Sequence, residues 1–347
     1  MSTPHTQKLK MTTVKTILLN ALPASGKSEV RKFLRSLKPE DCKENFLIGE
    51  SVQLDDYPYV ELYRHIDEHL NAIGYGHFFY VLPDRSVVST LDWNTLIYLI
   101  NDDYDDLVNG AKKPEIVSAS RWLFERVDEA RRKAGLKTFL SDLPASIMWE
   151  LQDRMEADCR SFFEEKYRNI PASMEGKTVF IEFARGGPHG SSYPLPFPLG
   201  YQHTYATLSD AILKDAAVLY IWVTPEMSRA KNIARGQENP GDPAANIGAK
   251  ITLSLNHSVP EFVMYNEYGC DDMEYLLSIS DKPDTVKIDA HGKTYYLPVA
   301  RFDNRADFTT FCRGEVAKWD PENVKKIREQ LQKAFAGLIK QYKALHQ

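Results

Sequence analysis

Eight residues constrain this chain more than any others. Ala21-Leu22-Pro23-Ala24-Ser25-Gly26-Lys27-Ser28 follows the apolar run Thr16-Ile17-Leu18-Leu19-Asn20 and precedes Val30, Phe33, Leu34 and Leu37, apolar residues at helical spacing. A short, continuously apolar run suits a buried parallel strand, so the order reads strand, loop, helix. The loop fits A-x-x-x-x-G-K-S, with Ala where the usual signature has Gly. Such a loop turns its backbone N–H groups inward on an anion, and the helix that follows adds its positive end. Gly26 lets the chain approach phosphate closely, Lys27 reaches the β- and γ-phosphates, and the Ser28 hydroxyl sits on Mg²⁺. Pro23 and Ala24 stiffen the loop at no cost where the fixed φ is already correct. The expectation is a nucleotide-binding loop, with ATP and Mg²⁺ as cofactors.

The rest of the chain alternates in the same way. Phe46–Gly49 and Val52–Leu54 mark a second strand region that ends at Asp55-Asp56-Tyr57, after a helix stopped by Pro39. Tyr59–Leu70 reads as helix, Phe78–Leu82 as strand or loop, and Leu96 opens a polar helix that ends near Asn109-Gly110. Val117–Lys133 and Ile147–Tyr167 are long charged helices, so residues from about 60 to 175 read as a mainly helical insertion. Strand signals return at Thr178–Glu182 and Ala217–Val223, with a Gly/Pro/Ser-rich loop at Gly186–Gly200 and a helix at Tyr205–Leu213 between them. Glu226–Gly236 and Pro260–Tyr268 read as helices, Asp284–Ile288 as a strand that Lys293–Pro298 could pair with, and Asn323–Leu345 as a closing amphipathic helix. Alternation of this kind predicts a parallel sheet covered on both faces. The expected organisation is a flexible tail over residues 1–14 and one domain over 15–347, with a lid-like segment at about 226–250 whose polar loop is Gln237–Asn246.

Composition excludes more than it selects. The 347 residues carry a net charge of -5, which gives no global attraction to nucleic acid or acidic lipid. Apolar runs are far shorter than the roughly 20 residues that span a bilayer, and Met1–Lys15 lacks the apolar stretch of a secretory signal. The four cysteines, Cys42, Cys159, Cys270 and Cys312, are too widely spaced for a zinc motif or a disulfide framework. The expected location is the cytoplasm, with no membrane partner, and a homo-oligomer stays open.

Further candidates cluster around strand ends. Asp55 or Asp56 could hold Mg²⁺ or accept a proton from a substrate hydroxyl, because ligands bind at the carboxyl ends of parallel strands. Glu182 closes an apolar strand and is the second candidate for orienting the metal or the attacking group, with Arg185 three residues on. Arg229 and Arg235 on the later helix could neutralise a moving phosphoryl group. Tyr57, Asp92 and Trp93 are candidates for substrate contact. Each has a bland alternative: an acidic turn, a solvated Glu–Arg pair, a basic helix face, or packing.

Taken together, these elements resemble the P-loop kinase superfamily, the nucleoside and nucleotide kinases and their small-molecule relatives. Asp55-Asp56-Tyr57 resembles the D-D-F/Y element of uridine-kinase-like enzymes. Glu182 to Arg185 resembles the acidic-x-x-Arg element of adenylate-kinase-like enzymes, where the Arg grips substrate phosphate. Arg229 to Arg235 resembles the basic lid helix. The resemblance spans about 60% of the chain; residues after about 290 have no counterpart, and the insertion is longer than in small kinases. It implies a three-layer α/β/α P-loop NTPase fold with a mainly parallel sheet, and ATP-dependent phosphoryl transfer to a hydroxyl or phosphate of a small-molecule acceptor. An NTP-driven switch or assembly ATPase, whose helical insertion binds a protein partner, is one alternative. A polynucleotide 5′-hydroxyl kinase is another, weakened by the acidic charge. A GTPase is disfavoured, because no N-K-x-D element follows an apolar strand.

Overall fold

The computed structural model describes residues 13–238 and 258–346. The chain forms an α/β fold around one six-stranded sheet with strand order β2-β3-β1-β4-β6-β5. The strands are β1 (Thr16–Asn20), β2 (Glu50–Asp55), β3 (Lys177–Phe183), β4 (Ala216–Trp222), β5 (Thr285–Ala290) and β6 (Lys293–Asp303). Pairing is parallel from β2 through β6, and β5 joins β6 antiparallel at the edge. β1, β3 and β4 are almost wholly buried, as expected of continuous apolar runs in a sheet covered on both faces.

Side chains alternate between the two faces. Ile17, Leu19, Phe180, Leu219 and Phe302 pack with α1 (Lys27–Ser36), α2 (Pro39–Phe46) and α12 (Pro321–Leu345). Leu18, Val179, Ile181, Val218 and Val299 pack on the other face with α4 (Asp92–Val108), α7 (Gly200–Thr207), α8 (Asp210–Leu213) and α11 (Met273–Ile279). The third apolar cluster lies away from the sheet. It joins α3 (Tyr57–Ala72), α4, α5 (Ala119–Lys133) and α6 (Ala145–Arg168). α4 belongs to two clusters: Trp93, Leu96 and Leu99 face the helices, while Ile97, Ile100, Tyr104 and Leu107 face the sheet. That double role seats the helical segment on the sheet.

Several local expectations need correction. α1 ends at Ser36, three residues before Pro39, and Pro39 also starts α2 at a position where its missing N–H costs nothing. Phe46 is still helical and Leu47 has a positive φ of 54°, so β2 begins only at Glu50. Of strand or loop, Phe78–Leu82 is loop: it holds one bridge, Tyr80 to Val87, and its amides at Phe78, Phe79 and Tyr80 donate to the buried carboxylate of Asp67. The Tyr205–Leu213 helix is two helices, broken where Asn101 Oδ1 accepts from the Ser209 N–H. The segment after residue 290 is integral, because β6 runs to Asp303 in parallel with β4 and α12 covers one face. α9 (Pro225–Glu238) and α10 (Glu261–Asn266) complete the described α-helices. Residues 1–12 of the expected tail and residues 239–246 of the expected loop lie outside the described residues; Val14 is buried, with its N–H on the Leu47 carbonyl at 2.8 Å, and α9 continues through Glu238.

Candidate functional site

The loop Ala21–Ser28 leaves the carboxyl end of β1 and enters α1 at Lys27. Its shape depends on residues far away in sequence. Gly26 has φ +103°, and a Cβ there would lie 2.5 Å from Thr309 Oγ1 and 2.9 Å from Asn304 Nδ2. Only glycine combines that backbone with that close approach. Asn304, fully buried just beyond β6, donates from Nδ2 to the Ser25 carbonyl at 2.8 Å and accepts the Phe308 N–H at 2.9 Å. From α9, Ser228 Oγ donates to the Pro23 carbonyl at 2.7 Å. Asn20 anchors the strand end, donating to the Phe183 carbonyl and accepting from Tyr205 Oη at 2.8 Å. Buried polar groups paired this completely hold one conformation.

Beside the loop, parallel register sets Asp55 of β2 opposite Glu182 of β3, and the Asp56 N–H donates to the Glu182 carbonyl at 3.3 Å. Three carboxylates thus meet at the strand ends, and two of them have guanidinium partners. Arg31, on the inward face of α1, is ion-paired to Glu182. Arg185 Nη1 donates to Asp56 Oδ2 at 2.7 Å. Asp55 accepts from the Tyr57 N–H at 2.9 Å and from Gln53 Nε2 at 3.4 Å. Burial, and then the charges of Glu182 and Asp56, push its carboxyl well above the usual range. Lys27 donates to the Ala21 carbonyl at 3.4 Å. Burial lowers its ammonium, while Glu182, Asp55 and Asp56 pull the other way. Half-buried Ser28 is the next residue on α1.

The other sequence candidates separate. Arg235 lies within electrostatic reach of Lys27. Arg229 instead pairs with Glu226 at 3.1 Å, with its guanidinium 4.6 Å from the Tyr265 ring centre. Asp92 is ion-paired to Arg131 in the helical cluster. Trp93 does reach the strand ends: its carbonyl accepts from Arg185 Nη2 at 3.4 Å, and its ring lies 5.1 Å from the guanidinium. Trp93, Arg185 and Gly186 line a narrow cleft with Gly200, Glu267 and Tyr268. Asn304, Thr309 and Glu267 were not singled out from the sequence. Each sits in an ordinary polar stretch, and only the crossover order brings them here.

Among the described residues, no three His, Cys, Asp or Glu side chains form a group that could hold a metal ion. No described helix is long and apolar enough to cross a membrane. Comparisons with protein-family models, with curated proteins and with solved structures give no match.

Proposed function

We propose that the chain is an ATP-dependent phosphotransferase with a P-loop NTPase fold, acting on a small-molecule acceptor. The observation that carries this reading is the convergence on Lys27: the Ala21–Ser28 loop, the start of α1, and the paired strand-end carboxylates Asp55 and Glu182. The positive end of α1, directly behind the loop, suits the β- and γ-phosphates. Lys27, with Arg235 in its electrostatic reach, would offset charge on the moving phosphoryl group.

Mg²⁺ fits this donor set. The raised Asp55 carboxyl marks a surplus of buried negative charge, and a cation relieves it. Ser28 and Asp55 would hold the ion, with Glu182 fixed by Arg31 behind them. A site without a complete protein cage suits Mg²⁺, which keeps waters and binds through substrate phosphates. When bound, the ion supplies neutralisation of phosphate charge.

With Asp55 on the ion, the neighbouring Asp56 is assigned the acceptor's hydroxyl proton. The acceptor oxygen bonds to the γ-phosphorus, the bond from that phosphorus to the ADP oxygen breaks, and the proton passes to Asp56. Purified protein should form ADP faster in the presence of an acceptor pool. Lys27→Ala should lower that rate at least about 100-fold without a change in circular dichroism. ADP formation equal in wild type and Lys27→Ala would remove the reading. Lys27-dependent ATP binding that no acceptor accelerates would favour a nucleotide switch instead.

A further inference from the structure

Backbone contacts hold the chain after β3 against the chain after α10. A Cβ on Gly186 would lie 2.3 Å from the Cys270 carbonyl oxygen and 2.8 Å from that of Glu267. Gly187 and Cys270 exchange N–H···O bonds at 3.0 and 3.1 Å. Arg185 and Glu267 therefore line one narrow space, together with Trp93 and Tyr268. That space holds about one water molecule. Arg185 is nearly enclosed, with its side chain 5% exposed. Nη1 donates to Asp56 and to the Ala184 carbonyl, and Nη2 to the Trp93 carbonyl. Nε is buried and has no partner among the described residues. A desolvated donor left idle is costly in a native fold, and an ordered water can satisfy it. Glu267 is also buried, and its Oε1 accepts the Val87 N–H at 3.2 Å, which leaves the carboxylate with acceptor capacity to spare. Burial pushes this carboxyl up to about 7, against the pull of neighbours that include Arg64 and Arg185.

Resting on the phosphotransferase reading, we propose that this space is a one-water site bridging Arg185 Nε to the Glu267 carboxylate, and that Glu267 is a positioning residue for phosphoryl transfer, acting through Arg185 on Asp56. Arg185 Nε donates to the water, and the water donates to Glu267. The space is too small for an acceptor, so Glu267 acts at one remove. The guanidinium then has a partner on every edge: Asp56 and the Ala184 carbonyl at Nη1, the Trp93 carbonyl at Nη2, and the water at Nε. The Nη2 contact is long, at 3.4 Å. The rings of Trp93 and Phe183, at 5.1 and 5.5 Å, attract the cation without fixing its rotation. The bonds at Nη1 and Nε therefore set the orientation of the guanidinium. Asp56, which receives the acceptor's proton, takes its own orientation from Nη1 at 2.7 Å. A reacting group shifted by a fraction of an ångström loses rate while binding is kept. Without the Glu267 carboxylate the water keeps one charged partner, Arg185, and a buried water needs at least two polar partners.

The test joins a crystal structure of the full chain to kinetics. At high resolution the space should show one ordered water within about 3.2 Å of both Arg185 Nε and a Glu267 carboxylate oxygen. This arm does not depend on any variant folding. ADP formation is then measured with ATP, Mg²⁺ and pools of nucleosides, nucleoside monophosphates, sugars and amino alcohols. With the pool that raises turnover, Glu267→Leu should lower kcat about tenfold while KM for ATP stays within about twofold. Glu267→Gln, whose amide oxygen still accepts a hydrogen from the water, should recover most of that kcat. An empty space in the crystal, or Nε bonded to a protein atom, overturns the one-water site. A kcat equal in wild type and Glu267→Leu, or an equal loss in both variants, overturns the positioning role. Each of these results leaves phosphotransfer standing. If no pool raises turnover above the Lys27→Ala blank, the phosphotransferase reading falls, and the positioning role falls with it.

Discussion

At the residue scale, Gly26 ties the nucleotide-binding proposal to the fold. Its positive φ and the 2.5 Å approach of Thr309 Oγ1 to a would-be Cβ make any side chain there a clash. Gly26→Ala should therefore cost about 1–3 kcal/mol of stability, read as a lower urea midpoint at unchanged slope. Removing Thr309 Oγ1 with Thr309→Ala should restore part of the loss, because the two positions share one space. A Gly26→Ala chain as stable as wild type would mean that the loop relaxes away from Asn304 and Thr309. The glycine, lysine and serine were legible as a motif; the second strand's paired acids were legible as an acidic strand end. Their partners were not. Arg31 to Glu182, Asp56 to Arg185 and Ser25 to Asn304 join positions 151, 129 and 279 residues apart, and no local pattern encodes such distances.

At the scale of elements, the helices between β2 and β3 are organised by carboxylates. Asp128 accepts the N–H groups of Phe139, Leu140 and Ser141, as Asp67 does for the segment before α4. Glu156 of α6 caps the start of α5 through the Ala119 and Ser120 N–H groups, both at 2.9 Å. Inside the bundle, Asp103 of α4 receives Tyr59 Oη at 2.6 Å, Arg126 at 2.7 Å and Lys166 at 2.7 Å, one donor from each of α3, α5 and α6. Burial opposes its charge, yet Arg126 and Lys166 hold the carboxyl below the ordinary range. Asp103→Ala should cost about 3–5 kcal/mol, because it leaves the buried Arg126 guanidinium without its carboxylate, while Lys166 keeps Asp106 at 2.7 Å. Thermal denaturation should show a large drop in Tm, and a drop of a degree or less would mean that water replaces the carboxylate. Periodicity exposed these helices but not this network, since the charged residues that read as a solvated face turn inward on one another.

For the whole molecule, pH reports the strain of acids buried around the strand ends and their flanks. Burial pushes Glu267 and Asp271 up to about 7, and Asp55 is raised in the same direction. Unfolded carboxyls titrate near roughly 4. Between those values the folded chain binds more protons than the unfolded one, so stability falls as pH rises through that window. Glu156 behaves oppositely. Burial opposes its charge, but hydrogen bonds from the α5 amides bring it down to about 2, so its contribution is lost only under strong acid. Tm should rise as pH is lowered from about 8 to about 5.5, and Glu267→Gln should flatten part of that rise. A profile that is flat or inverted in this range, identical in the variant, would mean that these acids are solvated in solution.

The sequence by itself determined the elements whose signal is local: the buried strands, the loop that turns into α1, the long helices, and hence an α/β class with a mainly parallel sheet. Strand periodicity and glycine chemistry act over a few residues, so a short window contains the whole cause. Tertiary structure decided the rest. It set the strand order that brings Asp55 beside Glu182, placed β6 and its following turn under Gly26, and matched Glu182 and Asp56 each with a particular arginine. Those outcomes depend on which crossovers bury the most apolar surface together, a property of the whole chain that no short stretch carries.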